Sequence, residues 1–203
     1  VAVLHGDEVA LAEGFGYANV EHDIPATADV VYEIASITKL FTATAVVQLV
    51  EDGRVSLDGV LGDYVADLPE LWRPITIRQL LTHQSGIHNY TGTEKYWETT
   101  RLDVSRDELL GYVADRPLDF LPGQRYGYDN TGFYLLGYLI EGVSGQSYGA
   151  FLTERIFRPL EMDSTRVNDP YEIVKHRAAG YSYDDENERL KHKPYYSTTG
   201  TFS

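Results

Sequence analysis

Two β-type runs open the chain, Val1 to Leu4 and Val9 to Tyr17, and the Gly-Asp pair within His5-Gly6-Asp7-Glu8 predicts a hairpin turn between them. The apolar run Leu40 to Val50 predicts a helix that starts near Ser36 and stops at Asp52-Gly53, where glycine takes the left-handed conformation that ends helices. Two further helices are announced by capping boxes, Thr76-Ile77-Arg78-Gln79 and Ser105-Arg106-Asp107-Glu108, with Ile75/Leu80 and Val104/Leu109 at the staple positions. Leu135, Leu136, Leu139, Ile140 and Val143 fall on one helical stripe, which predicts a helix from about Thr131 to Val143, ended by Ser144-Gly145. Ser147 to Phe157 reads as a last amphipathic helix, stopped by Pro159. The stretch from Tyr181 to Tyr196, rich in Asp, Glu, Lys and Tyr, has no clear period.

Strands at the start followed by helices predict an α+β fold, an antiparallel sheet flanked by helices, with a helical region from about Gly53 to Leu160 inserted. At 203 residues and 43% hydrophobic, the chain is long enough for one sizeable core. No apolar run approaches the roughly 20 residues that span a bilayer. A net charge of −14 argues against nucleic acid, whose phosphates need a basic surface, and is read as a solvated acidic surface. The absence of cysteine excludes disulfides, thiolate catalysis and cysteine-ligated metals. The six histidines are scattered, and His83 and His88 are five apart rather than the three or four that put ligands on one helix face, so neither a metal nor a cofactor is expected.

The candidate chemistry begins at Ser36-Ile37-Thr38-Lys39. Residues three apart on a helix share a face, so the Ser36 hydroxyl and the Lys39 amine can come within hydrogen-bond reach. A helix start would place Ser36 at the positive end of the dipole, where a developing alkoxide is favoured. Alone, the pattern also fits a helix N-cap serine followed by a solvated lysine. A second constellation, Tyr128-Asp129-Asn130, lies in Leu121 to Gly137; Tyr128 could share a proton with Lys39, and Asn130 could either orient Lys39 and a substrate carbonyl or cap the helix from Thr131. Ser36 and Tyr128 are expected to meet where the sheet joins the helical region. His83, with Ser85 two residues away, tempts toward a Ser-His-Asp triad, but no G-x-S-x-G elbow surrounds a serine, and His83 is read as closing its helix and supporting the loop after it.

These stretches together resemble the serine β-lactamase and penicillin-binding-protein superfamily: S-x-x-K at Ser36 to Lys39, then Leu80-Leu81-Thr82-His83-Gln84-Ser85-Gly86-Ile87 against L-L-x-H-x-S-G-[IL], then a tyrosine-led triplet, in the family order. The tyrosine resembles the branch holding class C β-lactamases, D-alanyl-D-alanine peptidases and β-lactamase-like esterases. The resemblance runs from about Val3 to Ser203 and implies one β-lactamase-related domain over residues 1–203. It also implies a chain incomplete at both ends: without a first helix, and without strands after Thr199 to Ser203 that carry a K-T-G or H-x-G triplet and the second oxyanion donor. Periplasmic or secreted placement would follow from the same resemblance.

What the resemblance implies is a serine hydrolase that forms an acyl-enzyme on Ser36, with Lys39 and Tyr128 as catalytic residues and Asn130 against the substrate. The partner is then a small-molecule ester, amide or D-amino-acid peptide. Which of Lys39 and Tyr128 accepts the proton stays open at this level, as does oligomeric state. Two alternatives stand beside it, a class C-type β-lactamase and a non-catalytic penicillin-binding or sensor module that retains S-x-x-K without turnover.

Overall fold

The computed structural model describes residues 1–100, 102–169 and 171–192. The described chain falls into two compact units, residues 1–33 with the segment from Asn168 onward, and residues 34–167.

In the first unit, β1 (Ala2–His5) and β2 (Glu8–Ala12) form the expected antiparallel hairpin, turning through Gly6 at φ 61°. A second ladder, β3 (Tyr17–Asn19) with β4 (Ile24–Pro25), follows directly. The segment from Asn168 joins this unit through Val31, whose N–H donates to the His176 carbonyl and whose carbonyl accepts from the Ala178 N–H, and through the Ala179 N–H, which donates to Ala18.

The second unit holds the helices. A 3₁₀ turn, Ala35–Ile37, runs straight into α1 (Thr38–Glu51), which ends at Gly53 with φ 70°. Both capping boxes form: Thr76 caps α2 (Ile77–Leu81) and Ser105 caps α4 (Arg106–Gly111), each with its reciprocal glutamine or glutamate bond. Between them lies α3 (Glu94–Thr99), capped by Thr93. The central helix is α5 (Asn130–Ser144), ended by Gly145 in the left-handed region. It is followed by α6 (Tyr148–Leu152), which widens into a π-type turn over Thr153–Phe157 before Pro159.

The core of this unit is apolar side chains of α1 (Ala45, Val46, Leu49) against α5 (Leu135, Leu136, Leu139, Ile140), closed by Ile77 and Leu80 of α2 and Phe151 and Leu152 of α6. Burial on this scale is the main favourable term, at about 1.5–3 kcal/mol per fully buried large aliphatic side chain. The stripe Leu135, Leu136, Leu139, Ile140 is fully buried as the periodicity requires, and Phe133 and Tyr134 are buried too, so α5 is enclosed on more than one face. Among the described residues no helix is long and apolar enough to cross a membrane.

The stretch from Tyr181, which shows no clear period in sequence, nevertheless holds a hairpin: β5 (Tyr181–Asp184) and β6 (Arg189–His192) pair antiparallel in regular register. Most of their positions face solvent, so the alternation that marks a half-buried strand never develops; the pairing is supported by ion pairs from Lys191 and Arg189 to Asp184. The remainder of that stretch, and the expectation for Thr199 to Ser203, lie outside the described residues.

Candidate active site

All four side chains singled out from the sequence come together within residues 34–167. Ser36 lies in the 3₁₀ turn ahead of α1, and neither that turn nor α1 is closed by a side-chain cap, so Ser36 is not an N-cap serine. The preceding residue, Ala35, has φ 44°, a left-handed conformation unfavourable to a residue with a Cβ; such strain clusters at functional sites. One turn further on, Lys39 is only 7% exposed, a buried amine rather than a solvated one. Its Nζ lies 3.4 Å from Ser36 Oγ and donates to Asn130 Oδ1 at 2.7 Å, with the Tyr128 and Phe133 rings 5.1 and 5.5 Å away. Ser36 Oγ and Tyr128 OH are 2.7 Å apart.

Tyr128 is 44% exposed and so is not core filler. Its partial burial alone would push its pKa up, but the hydrogen bond with Ser36 and the hydrogen bond and charge of Lys39 outweigh burial, and the phenol titrates below its ordinary value. A lowered phenol in contact with a hydroxyl is the arrangement that can take that hydroxyl's proton.

Asn130 is not the cap of α5. That role belongs to Asp129, which accepts the Thr131 N–H at 2.7 Å through Oδ1 and the Gly132 N–H at 3.0 Å through Oδ2. The division follows from geometry, since an N-cap stands just outside the helix, whereas Asn130 is already helical and free to turn its amide to Lys39. Asp129 is 3% exposed, and burial raises its carboxyl to a pKa of about 6, although Ser85 Oγ–H and the Gly132 and Thr131 N–H groups all favour the charged form.

The sign of that shift gives a stability prediction. Between about pH 4 and 6 the folded chain holds a proton on Asp129 that the unfolded chain has lost, so this group's contribution to stability is full at low pH and falls as pH rises through 6. Urea unfolding of the parent and of Asp129→Asn at steps from pH 4 to 7 is expected to show the parent losing stability relative to the variant over this interval. The loss should be no more than about 3 kcal/mol, and a constant difference across the interval would contradict it.

His83 holds this loop together rather than activating a serine. It follows the C-terminus of α2 with φ 55°; its Nδ1 accepts the Asp129 N–H at 3.2 Å and its carbonyl accepts the Gly127 N–H at 2.8 Å. Its ring lies against Tyr128 and Phe133, with centroids 4.6 and 5.0 Å away. Burial, with the nearby Lys39 charge, keeps the imidazole pKa below its usual value and so favours the neutral ring whose Nδ1 can accept. Ser85 Oγ donates to Asp129, not to His83. Asp129 was legible as a motif residue but not as the buried cap, although an aspartate just before a helical stripe is itself a cap signal. Phe133, at one wall of Lys39, carries no such signal because it belongs to the apolar helix text.

Comparison with known proteins places the chain in a family. The family model described as Beta-lactamase matches residues 1–202. Penicillin-binding protein 4* of Bacillus subtilis is 32% identical over 93% of this chain and 42% of its own length. The octameric penicillin-binding protein homologue from Pyrococcus abyssi superposes with a TM-score of 0.82 at 34% identity, covering 98% of this chain and 47% of that one. The D-amino acid amidase from Ochrobactrum anthropi SV3, solved with L-phenylalanine amide, gives a TM-score of 0.78 at 29% identity over 98% of this chain and 55% of that chain. The chain thus spans about half the length of these relatives.

Proposed function

From the fact that this chain belongs to the Beta-lactamase family, we propose that it is a serine hydrolase working through an acyl-enzyme on Ser36. The observation that carries this reading is the approach of Ser36 Oγ to a lowered phenol at 2.7 Å, beside a buried lysine amine. In the proposed reaction the ionised phenol of Tyr128 takes the Ser36 proton as Oγ attacks the substrate carbonyl carbon. The shorter contact favours Tyr128 over Lys39 as the immediate acceptor, and Lys39 then supports the phenolate electrostatically. The tetrahedral intermediate collapses with the proton passed from Tyr128 to the leaving oxygen or nitrogen, and water releases the acyl group by the reverse sequence. The Ser36 backbone N–H is the proposed donor to the oxyanion, and Asn130 orients Lys39 and lies next to the substrate. The substrate class is an ester, a small amide or a D-amino-acid peptide; the amidase relative supports the amide end of this range.

Treatment with a fluorophosphonate probe followed by peptide mass spectrometry is expected to find the adduct on the peptide containing Ser36, and Ser36→Ala is expected to abolish it. An adduct on Ser85 instead would end the assignment. Turnover of p-nitrophenyl esters, a D-phenylalanine amide, nitrocefin and a D-Ala-D-Ala peptide then ranks the substrate classes.

A further inference from the structure

The Asn130 amide is held at both ends. Its Oδ1 accepts from Lys39, and its Nδ2 donates to Thr91 Oγ1 at 2.9 Å and to Asn89 Oδ1 at 3.3 Å. Thr91 Oγ1–H in turn donates to Asn89 Oδ1 at 3.0 Å, so the threonine's lone pairs, not its proton, face Asn130. Asn89 Oδ1 also receives the backbone N–H of Asn130 at 3.2 Å and of Thr91 at 3.3 Å, as the cap of the 3₁₀ turn Tyr90–Gly92.

A side-chain amide flipped by 180° would set its NH₂ against an ammonium that has donors and no acceptor, and its oxygen against Asn89 Oδ1, an acceptor, and Thr91 Oγ1, whose proton is already given to Asn89. The flipped state is therefore disfavoured at both ends. Without Asn89 and Thr91 only the Lys39 end would discriminate, and the amide would turn more freely. We propose that Asn89 and Thr91 are positioning residues that fix the orientation of the Asn130 amide, and through it the place of Lys39 Nζ beside Ser36. They touch neither Ser36 nor a reacting atom, and they act through Asn130. The inference rests on the reading of Ser36 as the nucleophile.

Thr91→Val keeps the shape of the side chain and removes the acceptor; Thr91→Ser keeps the acceptor. In fluorophosphonate inactivation at Ser36, Thr91→Val and Asn89→Leu are expected to lower the maximal inactivation rate about 10-fold or more, since a small misplacement of a catalytic group is costly. The probe concentration for half-maximal rate should change little, and Thr91→Ser should restore most of the parent rate. In an Asn130→Leu background, Thr91→Val is expected to add nothing, because its route to Ser36 is already cut. Nitrogen-15 NMR of the Asn130 side-chain NH₂ gives a readout independent of reactivity: its exchange with water should be slow in the parent and in Thr91→Ser, and faster in Thr91→Val. Parent-like inactivation and amide exchange in a folded Thr91→Val protein would overturn the proposal, as would failure of Thr91→Ser to rescue. If the parent itself does not label at Ser36, the reading of function falls, and the amide exchange alone then decides whether the clamp exists.

Discussion

Replacing Lys39 by Ala, or Tyr128 by Phe, is expected to lower kcat by about 10²–10⁴ in each case, with the fold retained. Tyr128→Phe removes only the oxygen that lies 2.7 Å from Ser36 Oγ; the ring that packs on His83 stays. Lys39→Ala removes the buried amine that helps to lower the phenol, so Tyr128 returns toward the value that its partial burial favours and is ionised in a smaller fraction of molecules at neutral pH. In the proposed mechanism the two groups act as one proton-handling unit, and the double variant is therefore expected to be little worse than the poorer single one. Steady-state kinetics on an active p-nitrophenyl ester measures all three variants. Losses that multiply fully would mean that Lys39 and Tyr128 serve separate steps. The pH profile adds a second check, because in Lys39→Ala the rising limb should move to higher pH, the direction in which the phenol moves when the ammonium is taken away.

The largest expected effect on stability comes from Gly86→Ala. Gly86 has φ 74°, which costs a residue with a Cβ about 1–2 kcal/mol. A Cβ there would also stand 2.0 Å from the carbonyl oxygen of Phe120, a backbone atom that cannot swing aside. Overpacking of this kind typically adds about 1–3 kcal/mol, and a total loss of about 2–5 kcal/mol is expected. The loop cannot easily relax. Asp119 donates to the Gly86 carbonyl, Gly123 to that of Gln84, and Gly127 to that of His83, each at 2.8 Å. Pushing Phe120 away therefore drags the segment that delivers Tyr128, so reactivity of Ser36 should fall along with stability. Gly53→Ala is the matched control: φ is 70° there and nothing lies within 4 Å of the added Cβ, so it should show the conformational cost alone. Equal shifts in the urea midpoint for the two variants would exclude the clash.

The residues that meet at the site were readable from local text. Ser36 and Lys39 sit at helical spacing, the Tyr128 triplet precedes an apolar helical stripe, and the two capping boxes mark α2 and α4 without any knowledge of tertiary contacts. These features are legible because each depends on neighbours within one turn, where backbone geometry alone fixes which side chains share a face. The β5–β6 hairpin was not legible, because strands exposed at most positions carry no burial pattern to read.

Division of labour within the second motif was beyond local text as well. An aspartate and an asparagine side by side are both competent to cap a helix, and competent alike to orient a lysine. Only the packed structure assigns the cap to Asp129 and turns Asn130 toward Lys39, because it buries Asp129 beside Ser85 and brings Asn89 and Thr91, some forty positions earlier in the chain, against the Asn130 amide. Lys39 makes the same point. Its place in the motif was visible, but its burial, with the Tyr128 and Phe133 rings against it, and its action with Ser36 in lowering the Tyr128 phenol depend on residues some ninety positions away in sequence. Spacing along a chain specifies which groups can be neighbours. Desolvation and the orientation of an amide depend on everything that surrounds them in three dimensions, and that is decided by packing between segments distant in sequence.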